Sequence, residues 1–329
     1  MSRLMPAEFA PHERTLMAWP CRASMWGTEL ENARAEHTAV ANAIAAFEPV
    51  TMVCADEAQA ADARARLSEN VTVVVIDIDD SWLRDSGPCF VFDAQDGGAR
   101  RAVHFGFNAW GEKFTPWDAD AAVGAKLGEL VGDPVDEAPF VLEGGSIAVD
   151  GTGALVTTEQ CLLHPNRNPS LSIAEIEAGL LEYLGAERVV WLGQGLAEDR
   201  DTDGHVDLIA AFTEAGELLM QSAPEGDVNH EPMAENARRA RAAGLRVHEF
   251  PPLARIEVAG EPVGLSYLNF YVCNGGVVVP TALVDSDDDA LQRIGAAYPD
   301  RDVVGVPART IAWGGGGPHC ITQQVPACD

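Results

Sequence analysis

No stretch of this 329-residue chain approaches the roughly 20 consecutive apolar residues that a membrane helix needs, and from Met1 to Pro20 every apolar piece is interrupted by Arg3, Glu8, His12, Glu13 or Arg14. A secretory leader is therefore not expected, and the reading is a cytoplasmic protein with no membrane partner. Zinc signatures are missing too: there is no C-x-x-C pair and no H-E-x-x-H, and the eight histidines never stand at ligand spacing. Seven cysteines (Cys21, Cys54, Cys89, Cys161, Cys273, Cys320 and Cys328) are an odd, scattered set. They read as reduced thiols rather than a disulfide framework. No metal and no cofactor is expected.

Basic residues are scarce, 22 against 51 acidic ones, for a formal charge of −29. Such a surface repels phosphate backbones and anionic lipid, so nucleic acid is a poor partner. It either serves solubility or gathers small cations. Low-complexity linkers and composition breaks are also absent, and 47% hydrophobic residues supply ample core. Residues 1–329 read as a single domain, and a homo-oligomer is compatible with the sequence.

What is present is an alternation of strands and helices. Apolar, β-branched runs predict buried strands at Pro49–Cys54, Val71–Ile76, Cys89–Phe92, Ser146–Val149, Arg188–Leu192, Val206–Phe212 and Val277–Val279. Helical spacing predicts helices at Thr28–Phe47, Ala58–Leu67, Ser172–Leu184, Glu231–Gly244 and Asp287–Tyr298. Asp287 is expected to cap the last of these, and Ser172 with Glu175 forms a capping-box pattern. The alternation gives an α/β class with strand-helix units at a coarse interval.

Four stretches carry chemistry. Gly314 to Gly317 removes every side chain shortly before His319 and Cys320, letting the backbone come close to something bound there. Cys320 is then either a nucleophile or a buried free thiol. In Asp199 to Asp207, His205 and Asp207 stand two apart at the mouth of an expected strand, where they would share a face. This suits a general acid/base beside a cation anchor. Asp77-Ile78-Asp79-Asp80-Ser81-Trp82-Leu83-Arg84-Asp85 mixes carboxylates for a cation with an indole face that could stack on it, and Arg84 is expected to pair with a neighbouring acid. Glu143, before Gly144 and Gly145, is either exposed at a turn or aimed into a pocket, and the residues alone favour exposure.

Together these stretches resemble the agmatine deiminase group of the guanidino-group-modifying enzymes, relatives of the bacterial peptidylarginine deiminases. The likeness runs from Phe9-Ala10-Pro11-His12-Glu13-Arg14-Thr15 and Met17-Ala18-Trp19-Pro20 through Trp82-Leu83-Arg84-Asp85-Ser86-Gly87-Pro88, Leu142-Glu143-Gly144-Gly145-Ser146 and Asn166-Arg167-Asn168-Pro169. It continues in Thr202-Asp203-Gly204-His205-Val206-Asp207, Asn269-Phe270-Tyr271 with Asn274-Gly275-Gly276, and His319-Cys320-Ile321-Thr322-Gln323-Gln324. The resemblance implies a pentein fold, an α/β propeller of five strand-helix modules around a central channel.

It also implies Cys320 as nucleophile, His205 as general acid and base, Glu143 orienting His205, and Asp85 and Asp207 holding a guanidinium. Trp82 would line the channel, and Asp201 and Asp79 would add acidic contacts to the substrate. The implied reaction is hydrolysis of agmatine, a small cationic guanidine, to N-carbamoylputrescine and ammonia. Departures from the family pattern are Gly317-Pro318 where members often have Asn-Ile, Leu208 after His-Val-Asp where many have Asn, and Asp201 where relatives often have Glu. The rivals are a deiminase for peptidyl or free arginine, which would need a basic anchor in the channel, a thiol protease, and a non-catalytic polyamine-binding protein.

Overall fold

The computed structural model describes residues 3–328. Its strands form five sheets of three or four strands and one separate hairpin. One pattern recurs in each of the five. Cys89–Asp93 pairs antiparallel with Ala99–Gly106, helix Asp118–Val131 crosses over, and Val135–Val141 returns parallel. Ile147–Val149 and Ala154–Thr158 make the next antiparallel pair, followed by helix Ile173–Leu184 and parallel Arg188–Leu192. The third unit is Ala210–Phe212, Leu218–Gln221, helix His230–Ala242 and Val247–Phe250. The fourth is Tyr271–Cys273, Gly276–Thr281, helix Ser286–Ala297 and Asp302–Pro307.

The fifth unit joins the two ends of the chain. Thr322–Pro326 pairs antiparallel with His12–Ala18, and helix Leu30–Ile44 leads to parallel Val50–Cys54. Parallel strands need such a helical crossover because a tight turn can only reverse the chain. Pairing the last strand with an early one closes the set of five units, which is the pentein architecture. The hairpin Ala254–Val258 with Glu261–Leu265 stands outside this repeat.

The five modules position the site. The segment entering each first strand carries a polar group: Asp85 before Cys89, Glu143 before Ile147, His205 and Asp207 before Ala210, Asn269 before Tyr271, and Cys320 before Thr322. Apolar clusters between sheets and helices hold these entries rigid, the largest containing Trp19, Trp26, Tyr267, Tyr271 and Tyr298. Ser172 caps Ile173–Leu184 in a complete capping box with Glu175, worth about 1 kcal/mol.

Two local expectations are corrected. Val206–Phe212 is not one strand: a 3₁₀ turn, Val206–Leu208, precedes Ala210–Phe212. Asp287 does not cap its helix. Its carboxylate lies inside the fold and accepts hydrogen bonds from Tyr267 Oη and from the backbone N–H groups of Ala282 and Val284. Among the described residues no helix is long and apolar enough to cross a membrane.

Candidate active site

Cys320 sits in the turn between helix Arg309–Trp313 and strand Thr322–Pro326. Its N–H donates to Asn269 Oδ1 at 3.2 Å, and its carbonyl accepts from Arg84 N at 3.2 Å. Three modules thus fix one backbone unit. The glycine run has a steric purpose: a Cβ on Gly316 would lie 2.7 Å from the Trp82 ring and 2.9 Å from the Cys320 sulfur. Any side chain there would displace the indole or the thiol.

The carboxylates converge from other entries. Asp85, on the short helix Leu83–Ser86, accepts from Gly145 N and from Trp110 Nε1, both at 2.9 Å. Asp207 Oδ2 accepts from Cys320 Sγ at 3.2 Å and lies 2.8 Å from His319 Nδ1. Gly145 marks the meeting point. A Cβ on it would be 2.7 Å from His205 Nδ1, 2.8 Å from Asp85 Oδ1 and 2.9 Å from Asp207 Oδ2. His205 Nδ1 is 3.7 Å from Asp85 Oδ1, and His205 Nε2 is 3.9 Å from Glu143 Oε2. Both His205 nitrogens, Asp207 Oδ1 and Glu143 Oε2 are buried and have no hydrogen-bond partner among the described residues. Buried polar atoms seldom stay unpaired without a task, and here four gather at one point.

His205 and Asp207 do meet, but not by strand alternation. His205 heads the 3₁₀ turn, where its N–H donates to Asp199 Oδ2 at 3.1 Å, and Asp207 lies within the turn. Glu143 is fully buried, contrary to the exposure its neighbours suggested, because Arg167 Nε binds its other oxygen at 2.5 Å. Arg84 pairs with the sequence-distant Glu8 at 3.3 Å rather than with a nearby aspartate. Asp79 lies apart from the channel: its carboxylate accepts from the N–H groups of Ala119 and Asp120, at the start of helix Asp118–Val131. Trp82 and Asp201 line the channel with Met25, Trp110, Phe114, Thr202, Gly314 and Gly315, above Asp85 and Cys320. Trp82 stacks on Trp26 with ring centroids 5.7 Å apart.

Trp110, Arg167, His319 and Glu8 were not singled out from sequence. The last three each bridge two modules or an end of the chain, and no local pattern reveals such pairing. Only Arg167 and His319 lay inside recognised motifs.

Burial first, then Asp207 and Asp85, push the Cys320 thiol well above its ordinary range. Burial opposes charge on His205, but Asp85 and its other neighbours hold the imidazole well above its ordinary value. Burial raises Asp85, and His205 only partly offsets this. Burial would also raise Asp207 and Glu143, yet His319 and the His205–Arg167 pair respectively bring them below the usual carboxylate range. The resting site therefore holds a protonated thiol beside an imidazolium. A raised thiol pKa makes alkylation climb with pH, so the reaction of Cys320 with iodoacetamide is expected to accelerate about tenfold per pH unit from 7 to 9. A plateau near pH 7 would contradict it.

The expectation of no metal rested on linear spacing, yet Glu143, Cys161 and His205 bring one potential ligand atom each within 4.8 Å of one another from separate segments. Arg167 already neutralises Glu143, which disfavours a cation at that point.

Comparison with known proteins supports the same reading. The family profile for Porphyromonas-type peptidyl-arginine deiminase matches residues 4–326. The agmatine deiminase of Pseudomonas aeruginosa (strain LESB58) is 43% identical, with 98% of this chain and 95% of the relative aligned. A solved Enterococcus faecalis agmatine deiminase superposes with a TM-score of 0.92 at 35% identity, covering 99% of this chain and 96% of that one. A C. jejuni agmatine deiminase, solved as a cysteine-to-serine variant with substrate bound, gives 0.91 at 27% identity, covering 99% and 97%.

Proposed function

The chain belongs to the Porphyromonas-type peptidyl-arginine deiminase family, and from the lining of its channel we propose that it hydrolyses agmatine to N-carbamoylputrescine and ammonia. It is a hydrolase acting on the C–N bond of a linear amidine. The observation that carries the substrate is the wall of the channel: among the described residues, aromatic rings, Asp85 and Asp201 line it and no arginine or lysine does, while Lys113 beside it is taken up by Asp203 Oδ1 and the carbonyls of Arg200 and Asp201. Agmatine is a dication with an aliphatic tether, so its guanidinium meets Asp85 and Asp207, its tether the indoles, and its ammonium Asp201. Free arginine would bring an α-carboxylate into this acidic field without a partner.

Chemistry follows from the contacts. A guanidinium gripped at its edges by two carboxylates leaves its central carbon open to attack from one face. The same cation offsets Asp85 and Asp207 and lowers the thiol pKa, so that Cys320 releases its proton to solvent and attacks as the thiolate. Sγ of Cys320 bonds to the carbon, His205 hands its proton to the departing nitrogen, and ammonia leaves a cationic thiouronium. Neutral His205 then takes a proton from a water whose oxygen bonds to the carbon. The C–S bond breaks, the departing thiolate takes up the remaining O–H proton to restore the resting thiol, and the ammonia released earlier takes from solvent the proton that the thiol gave up. No oxyanion hole is required in the first half, because the attacked group begins positively charged.

Product analysis tests the proposal. Agmatine is expected to yield ammonia and N-carbamoylputrescine in equal amounts, whereas urea and putrescine, or no turnover, would overturn it. Asp201→Asn is expected to raise KM for agmatine about tenfold with kcat within a factor of about three, since a rim contact contributes roughly 1.4 kcal/mol to binding both ground and transition states. Steady-state kinetics on purified variant and parent decides it, and an unchanged KM would remove Asp201 from substrate recognition.

A further inference from the structure

Leading away from the nucleophile, a hydrogen-bonded chain runs from the thiol through Asp207 to solvent by way of two residues with no assigned task, His319 and Glu8. Asp207 Oδ2, 3.2 Å from Cys320 Sγ, is 2.8 Å from His319 Nδ1, and His319 Nε2 is 2.6 Å from Glu8 Oε1. Asp207 and His319 are buried, whereas the Glu8 side chain is 26% exposed. A cavity of about 30 Å³, otherwise largely apolar, has Glu8, Asp207 and His319 in its wall, on the side of Asp207 away from the aromatic channel. That is room for a water, with polar groups to hold it. The imidazole thus has a carboxylate on each nitrogen, one serving the thiol and the other reaching solvent.

Resting on the reading of Cys320 as nucleophile, we propose that Glu8 and His319 are positioning residues for that thiol. Glu8 holds His319 as an imidazolium, and His319 holds Asp207 by one oxygen and offsets its charge. Two consequences follow for the nucleophile. Asp207 keeps Oδ1 turned free for the guanidinium, since Oδ2 is already engaged. The thiol also faces an ion pair rather than a bare anion, which makes its ionisation easier once substrate arrives.

The charged and titratable groups around His319 are Glu8, Asp207, Cys320 and Arg84, with His12 bonded to the Glu8 carbonyl and Tyr298 lining the same cavity. Burial and Arg84 oppose charge on His319. Glu8 and Asp207 outweigh them, and its pKa lies above the ordinary value. A raised imidazole pKa keeps the ion pair intact below it and loses the pair as pH rises through it. The positioning effect therefore belongs to the neutral and acidic side of that pKa.

Glu8→Gln tests this without touching a group that contacts substrate. Its expected signature is an alkaline limb of kcat moved down by about one pH unit, hence about a tenfold loss along that limb, with KM for agmatine within about twofold. Glu8→Asp should recover most of the rate, because the charge is restored. A Glu8→Gln profile superimposable on the parent would overturn the proposal, and so would equal losses in Gln and Asp variants. Should the Gln variant fold poorly, imidazole nitrogen NMR of the parent enzyme still decides: His319 should carry both N–H protons at pH 7, and a neutral ring would refute the assignment. If the parent does not deiminate agmatine at all, the functional reading has failed instead, an outcome visible before any variant is made.

Discussion

Cys320→Ser is expected to lower ammonia release from agmatine by about four orders of magnitude or more, with thermal stability changed little. The reasoning starts from the thiol's surroundings. Two carboxylates that raise a thiol pKa raise an alcohol's further, and an alkoxide would be unreachable where even the thiolate needs the substrate's cation. Serine also fits the turn, because the Cys320 backbone is held by Asn269 and Arg84 independently of its sulfur. Structure and function should therefore separate. The check is a steady-state ammonia assay beside a thermal melt. Residual turnover within tenfold of the parent would remove Cys320 from the mechanism.

Asp85→Asn and Asp207→Asn are each expected to cost about a hundredfold to a thousandfold in kcat/KM, the equivalent of about 3–4 kcal/mol for a buried cation deprived of one charged partner. They should differ in kind. Asp85 accepts from Gly145 N and Trp110 Nε1, so an amide there places an NH₂ against one of two donors and disturbs the channel wall as well. Asp207 shares its oxygen with His319 and the thiol, so its loss strands an imidazolium and should depress kcat more than it raises KM. Equal kcat/KM for either variant and the parent would show that the aspartate serves the structure alone.

Motifs that combine residue identity with local order were legible in the sequence. Cys320 after its glycines and His205 with Asp207 could be read from local order, whereas Glu143 before Gly144 and Gly145 reads as exposed and enters the site only through the family resemblance. Geometry was less accessible. The spacing of His205 and Asp207 suggests strand alternation, but a 3₁₀ turn brings them together, and the run Val206–Phe212, apolar but for Asp207, looks alike in either conformation. Helix Asp118–Val131 escaped notice because Gly124 and Gly128 count against helicity, although both lie on its buried side. Asp79 looked like a substrate ligand by composition, whereas its task is to satisfy the free N–H groups of a helix start far along the chain. Glu8, Arg167 and His319 act across modules. Only the closed ring of five brings them to the site, and nothing in one segment announces its partner in another.

The central claim is that an acid-lined channel without a basic anchor selects a decarboxylated guanidine. The most direct test is kcat/KM measured side by side for agmatine, free arginine and a blocked peptidyl arginine. Agmatine should exceed both by at least about a thousandfold, since an unpaired carboxylate in this field costs several kcal/mol and each 1.4 kcal/mol is about a factor of ten. Comparable values for agmatine and arginine, or a preference for the peptide, would contradict the account.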